Sequence, residues 1–210
     1  AKNMKTFSSM QGNADYKPYF VINYNSNGCR SADTLPFTDE PTKNCLMYAT
    51  NTNKTIKYTT ENRINISDTF SHFILTENDI TNITNSGSIS NAYNITKNRF
   101  ETWLNKYYKN KWRDVTSDGY KAVLKDDEWL ICMRAANYYN KINKSYKYDY
   151  HFWFRANNGK WYNKHGWYYA SEYMDDIVDP SNASGASGWR NGKIDDFYSS
   201  KTAYYAIKKN

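Results

Sequence analysis

The chain lacks any run of about 18 apolar residues, so no segment reads as a membrane-spanning helix. It has only three cysteines and three histidines. None of them fall at Cys-x-x-Cys or paired His–Cys spacing, which speaks against a zinc centre, and no metal or other cofactor is expected. An odd cysteine count leaves at least one thiol free. A Cys29–Cys132 disulfide with Cys45 unpaired is one arrangement, but spacing alone does not pair them. No block of five or more Lys or Arg occurs, and there is no RNA-recognition or helix-turn-helix signature, so nucleic acid is disfavoured as a partner. No secretory leader is visible either. The start at Ala1-Lys2-Asn3, without Met, fits a mature form after leader removal.

What is present is aromatic and basic. Hydrophobic residues make up 40% and aromatics 18%, with 21 Tyr and 7 Trp, which is not the profile of a disordered chain. The 210 residues can bury a sizeable core. They read as one α+β domain over residues 41–210, an irregular lead-in over residues 1–40, and a polar insertion near residues 51–98. The net charge of +7 is spread along the chain and favours anionic partners, such as an anionic cell-surface polymer. With 27 Asn and a polar, Tyr-rich surface, the composition suits a secreted, extracellular bacterial protein.

Periodicity places the elements. A short helix starts near Cys45, with Pro41-Thr42 supplying a turn and a candidate cap. Thr76-Glu77-Asn78-Asp79 offers a second helix cap. Phe100, Trp103, Leu104, Tyr107 and Tyr108 fall at helical spacing within an expected helix over residues 97–113. Strands are expected over Tyr120–Leu124, Trp129–Ala135 and Tyr148–Arg155. Asn157-Asn158-Gly159 is a hairpin signal, followed by a return strand over residues 160–167. A closing strand is expected within residues 197–207.

Two stretches carry chemistry. Cys45 stands at a helix start, where the dipole should lower its pKa and leave the thiol open. His151 lies in the aromatic strand Asp149-Tyr150-His151-Phe152-Trp153-Phe154. Asn163 follows twelve residues later, across the Asn157–Gly159 turn, which sets Tyr150 or His151 beside it.

This order of helix-start Cys, strand His and polar residue on the neighbouring strand resembles the papain-like cysteine peptidases. In layout it is most similar to their NlpC-type cell-wall amidopeptidase relatives. The residues that carry the resemblance are Asn44-Cys45-Leu46-Met47-Tyr48-Ala49, His151-Phe152-Trp153-Phe154-Arg155 and Trp161-Tyr162-Asn163-Lys164-His165-Gly166. They are similar to a pattern of uncharacterised bacterial and phage proteins: Asn-Cys-x-x-Tyr-Ala, His-x-x-x-Arg, Trp-x-His-Lys-Pro-Gly. Asn163 stands where that pattern carries His, and His165 where it carries Pro. The third residue of a papain-like site can be Asn or His. The resemblance implies a papain-like fold with the Cys helix packed on the sheet that carries the His. It also implies a Cys45–His151–Asn163 site that cleaves an amide in a peptide, a peptidoglycan stem peptide or a protein side chain.

Other residues compete for these roles. His72 and His165 are alternative bases, and Asp149, Asp175, Asp176 and Asp179 are candidate modulators. Cys132 reads as core, and Cys29 as a loop thiol beside Arg30. The alternative function is a non-catalytic secreted binding module or toxin component, gripping glycan or a host protein through surface aromatics.

Overall fold

The computed structural model describes residues 28–31, 44–51, 74–164, 170–172 and 198–208. Aromatic and other apolar runs, buried without a break over much of their length, build its central layer, since successive side chains in a strand point to opposite faces and both faces are covered. Strands β2 (Glu128–Asn140) and β3 (Ser145–Arg155) form a long hairpin, in register from Leu130↔Arg155 to Asn140↔Ser145. Strands β4 (Trp161–Lys164) and β5 (Ala170–Glu172) extend it on one side. On the other side lie β6 (Ala203–Lys208) and then β1 (Trp112–Asp114). The six strands are antiparallel, in the order β1-β6-β2-β3-β4-β5.

Three helices accompany the sheet: α1 (Cys45–Thr50), α2 (Glu77–Ser86) and α3 (Ile89–Tyr107). They share one core with Ile131, Met133, Phe152, Phe154 and Tyr205. On the opposite face Leu130, Cys132, Trp153, Trp161 and Ala206 pack with Val115, Leu124 and Tyr198. The chain is therefore α+β, with a buried core on each face of an antiparallel sheet.

Several expected elements shift. The helix expected over residues 97–113 runs instead from Ile89 to Tyr107, because Ser88 caps its start by accepting from the Asn91 N–H. Trp112–Asp114 belongs to β1. Tyr120–Leu124 forms no strand; a 3-10 turn spans Gly119–Lys121. Ala122 and Leu124 are buried while Val123 is exposed, so the strand-like alternation is real but has no ladder to join. The last strand does not close the sheet but lies within it, and its residues Ala203–Ile207 are all buried. From residue 74 onward the expected polar insertion is helical and sends Ile83, Ala92 and Tyr93 into the core. All three cysteines are free, so the Cys29–Cys132 arrangement does not occur: Cys29 is exposed and Cys132 is buried inside β2.

The α2 start agrees with its sequence signal. Thr76 and Asp79 form a reciprocal capping box, and Arg99 bonds the same carboxylate. Gly87 ends α2 at φ 60°, and a Cβ there would stand 2.8 Å from the Tyr146 ring. Gly87→Ala should therefore lower stability by about 1–2 kcal/mol, from left-handed strain and displacement of that ring. The check is a lower urea midpoint at unchanged slope.

Candidate functional site

Helix α1 has only six residues, too few to persist by itself. Its surroundings hold it at both ends. At the start, Asn44 Oδ1 accepts from the Met47 N–H at 2.9 Å. Asn44 is thus the cap, and the expected turn at Pro41-Thr42 lies outside the described residues. At the other end the Ala49 carbonyl accepts from Arg30 Nη1 at 2.7 Å and from Trp129 Nε1 at 3.1 Å. The Thr50 carbonyl accepts from the Tyr108 hydroxyl at 2.6 Å. Arg30 also lies over the Phe154 ring, 3.6 Å from its centroid, which fastens the helix to β3.

The position of the Cys45 thiol follows from the strand ladder. Ala135, across from Tyr150, turns both backbone groups to Ser200: its N–H donates to Ser200 Oγ and its carbonyl accepts from the Ser200 N–H. Tyr150 therefore directs its own N–H and C=O away from β2, toward the edge where β4 runs. Pairing with β4 covers only Trp153 to Arg155. Past that point α1 begins, and the Cys45 thiol donates to the Tyr150 carbonyl at 3.9 Å. The sulfur thus sits at the edge of β3, against the backbone on either side of His151.

The thiol is neither open nor acidic. Cys45 is 7% exposed. Burial, with the nearby Asp149 carboxylate, pushes its pKa up to about 12. The backbone N–H groups of Phe152 and Leu46 and the Lys164 ammonium act in the opposite sense but do not prevail. The sequence expectation of a lowered pKa is corrected here. A helix dipole is worth about 0.3–1 kcal/mol, whereas desolvating a charge can cost several-fold more.

His151 and Asn163 do meet. Both are buried, and His151 Nε2 lies 3.0 Å from Asn163 Oδ1. An amide oxygen only accepts, so Nε2 carries the hydrogen and Nδ1 is the basic ring nitrogen. The link is diagonal: Trp153, not Tyr150 or His151, pairs with Asn163, and His151 reaches it from two residues along the same face. The imidazole stacks on Tyr198 with centroids 5.3 Å apart and meets the Trp153 edge at 4.5 Å. That is the face opposite the three helices. His151 and Cys45 therefore approach the same strand segment differently, one from a face and the other from the edge.

Asp149 completes the cluster. It accepts from the Tyr198 hydroxyl at 2.9 Å and from the Tyr150 N–H at 2.8 Å. Its burial raises its pKa to about 6 against those two bonds. Tyr198 thus touches both the imidazole and the carboxylate. Nothing local in the sequence singles it out among 21 tyrosines, and neither it nor Lys164 was expected at the site. The alternative bases His72 and His165 and the acidic Asp175, Asp176 and Asp179 lie outside the described residues. Among the described residues no group of three or more His, Cys, Asp or Glu is placed to hold a metal ion, and no helix is long and apolar enough to cross a membrane. No protein-family model, curated protein or solved structure matches the chain.

Proposed function

We propose that the chain is a secreted, papain-like thiol hydrolase that cleaves an amide, in a peptide, a peptidoglycan stem peptide or a protein side chain. The observation that carries this reading is the 3.0 Å bond from His151 Nε2 to Asn163 Oδ1, beside a helix-start cysteine seated on the same strand segment. Asn163 fixes the tautomer that leaves Nδ1 as the base. In the reaction, the Cys45 proton passes to Nδ1 as sulfur attacks the carbonyl carbon. The C–N bond then breaks, the imidazolium protonates the departing amine, and a thioester remains. Water, deprotonated by His151, attacks the thioester, releases the carboxylic acid and restores the thiol. The first amides of α1, at Cys45 and Leu46, are the backbone candidates to face the oxyanion.

Magnitudes show what the site must supply. Ionising a thiol of pKa about 12 at pH 7 costs about 7 kcal/mol. Uncovering the thiol and pairing it with the imidazolium must offset most of that. The same burial favours a second reading, a non-catalytic binding module in which Cys45 is a packing residue.

The pH profile of alkylation separates the two. With iodoacetamide, and peptide mapping to locate the adduct, the hydrolase should show Cys45 labelled fastest, at a rate that levels off near neutral pH. A rate that climbs about tenfold per pH unit toward 12 would mark an isolated buried thiol and end the enzyme reading.

A further inference from the structure

Beyond the pairing with β6, which ends at Met133↔Ala203, and with β4, which ends at Trp153↔Asn163, β2 and β3 continue as a two-stranded ribbon. Its base is braced: Asn137 Nδ2 donates to the Ile83 carbonyl, and the Tyr148 hydroxyl bonds Thr96. Its tip is not. Among the described residues, large apolar side chains stand exposed at Val123 and, together on this tip, at Tyr139 (51%), Ile142 (91%) and Tyr146 (38%).

The charge of the tip has one sign. From Asn137 to Tyr148 there are three lysines, Lys141, Lys144 and Lys147, and no Asp or Glu. The turn is also built to hold its shape. Asn140 Oδ1 accepts from both the Ile142 and Asn143 N–H groups, and Lys144 closes the turn at φ 47°. Behind it, Tyr139 and Tyr146 pair directly across the ladder, with ring centroids 5.3 Å apart.

We propose that this tip is a docking surface for an anionic lipid bilayer: Ile142 enters the boundary between headgroups and acyl chains, the two tyrosines lie at headgroup level, and the lysines face lipid phosphates. Lysines alone would suit any polyanion. Ile142 decides between them, because a soluble polyanion leaves that side chain in water while a bilayer removes it. Tyrosine also favours the headgroup zone, where its ring is partly dehydrated and its hydroxyl stays wet. The bonded turn presents Ile142 in advance, so little ordering is needed on contact. No acidic side chain of the tip opposes the approach to phosphate.

The test is sedimentation of the full chain with phosphatidylcholine vesicles, with and without phosphatidylglycerol. Binding is expected only with phosphatidylglycerol, and raised salt should weaken it. Ile142→Ser should reduce it about tenfold, and Lys141→Glu with Lys144→Glu should abolish it. These three side chains are exposed, so the variants should keep the parent's circular dichroism and urea midpoint. The proposal is overturned if phosphatidylglycerol vesicles leave the chain in solution, or if Ile142→Ser binds as well as the parent. It is equally overturned if soluble polyphosphate binds as tightly as the vesicles, with the same lysine dependence and none on Ile142.

Discussion

Cys45→Ala should lower amide hydrolysis by on the order of 10⁵-fold while leaving the fold in place. On the hydrolase reading, the change removes the sulfur that would form the thioester. The stability cost should be small, about 1 kcal/mol, because one sulfur leaves only a small void in the core on the helix side of the sheet. Asn163→Ala should fall between parent and Cys45→Ala, by about 10²–10⁴-fold, since the imidazole remains but loses the bond that sets its tautomer. The measurement is kcat/KM on an amide substrate found with the parent chain, with urea unfolding run in parallel. If Cys45→Ala keeps the parent's activity, Cys45 is not the nucleophile.

Asp149→Asn should stabilise the protein above neutral pH by about 2 kcal/mol, an unusual outcome for removing a hydrogen-bonded carboxylate. The sign follows from the folded-state pKa, which is raised from 3.8 to about 6. In the folded state this group prefers its proton. Its contribution is therefore fully present below pH 3.8 and is lost as pH rises through about 6. A neutral amide removes the cost of the buried charge and keeps one of the two acceptors; with its oxygen on the Tyr198 hydroxyl, the Tyr150 N–H loses its partner, which offsets part of the gain. Urea unfolding at pH 4 and pH 8 reads the difference: near zero at the lower pH, largest at the higher. The same substitution removes one of the two causes that hold the Cys45 thiol up, so alkylation at pH 8 should be faster than in the parent. If the variant is less stable than the parent at pH 8, the Asp149–Tyr198 bond outweighs the burial of the charge.

The two results are coupled through one side chain. Tyr198 stacks on the imidazole and donates to Asp149, and Asp149 acts on the thiol. The site is thus a continuous polar and aromatic cluster around residues 149–152 of β3, with Lys164 at the end of the neighbouring strand.

Much of this arrangement is already present in the sequence. The β2–β3–β4 meander was legible because the Asn157-Asn158-Gly159 turn and the runs beside it are local signals. The Thr76–Asp79 capping box and the aromatic stripe from Phe100 to Tyr108 are local as well. The chain order offers Cys45, His151 and Asn163 as candidates for nucleophile, base and orienting amide, with His72 and His165 as alternative bases, and the strand period puts His151 and Asn163 on one face. Tertiary structure alone decided the rest. The place of β6 inside the sheet and the contact of Tyr198 with both His151 and Asp149 depend on segments far apart in the chain. The state of Cys45 depends on them most. A helix start favours a thiolate, but proton affinity is set by how much water the packed elements exclude and by which charges they bring near. Here the sulfur is buried at the edge of β3 near Asp149, and burial prevails over the dipole.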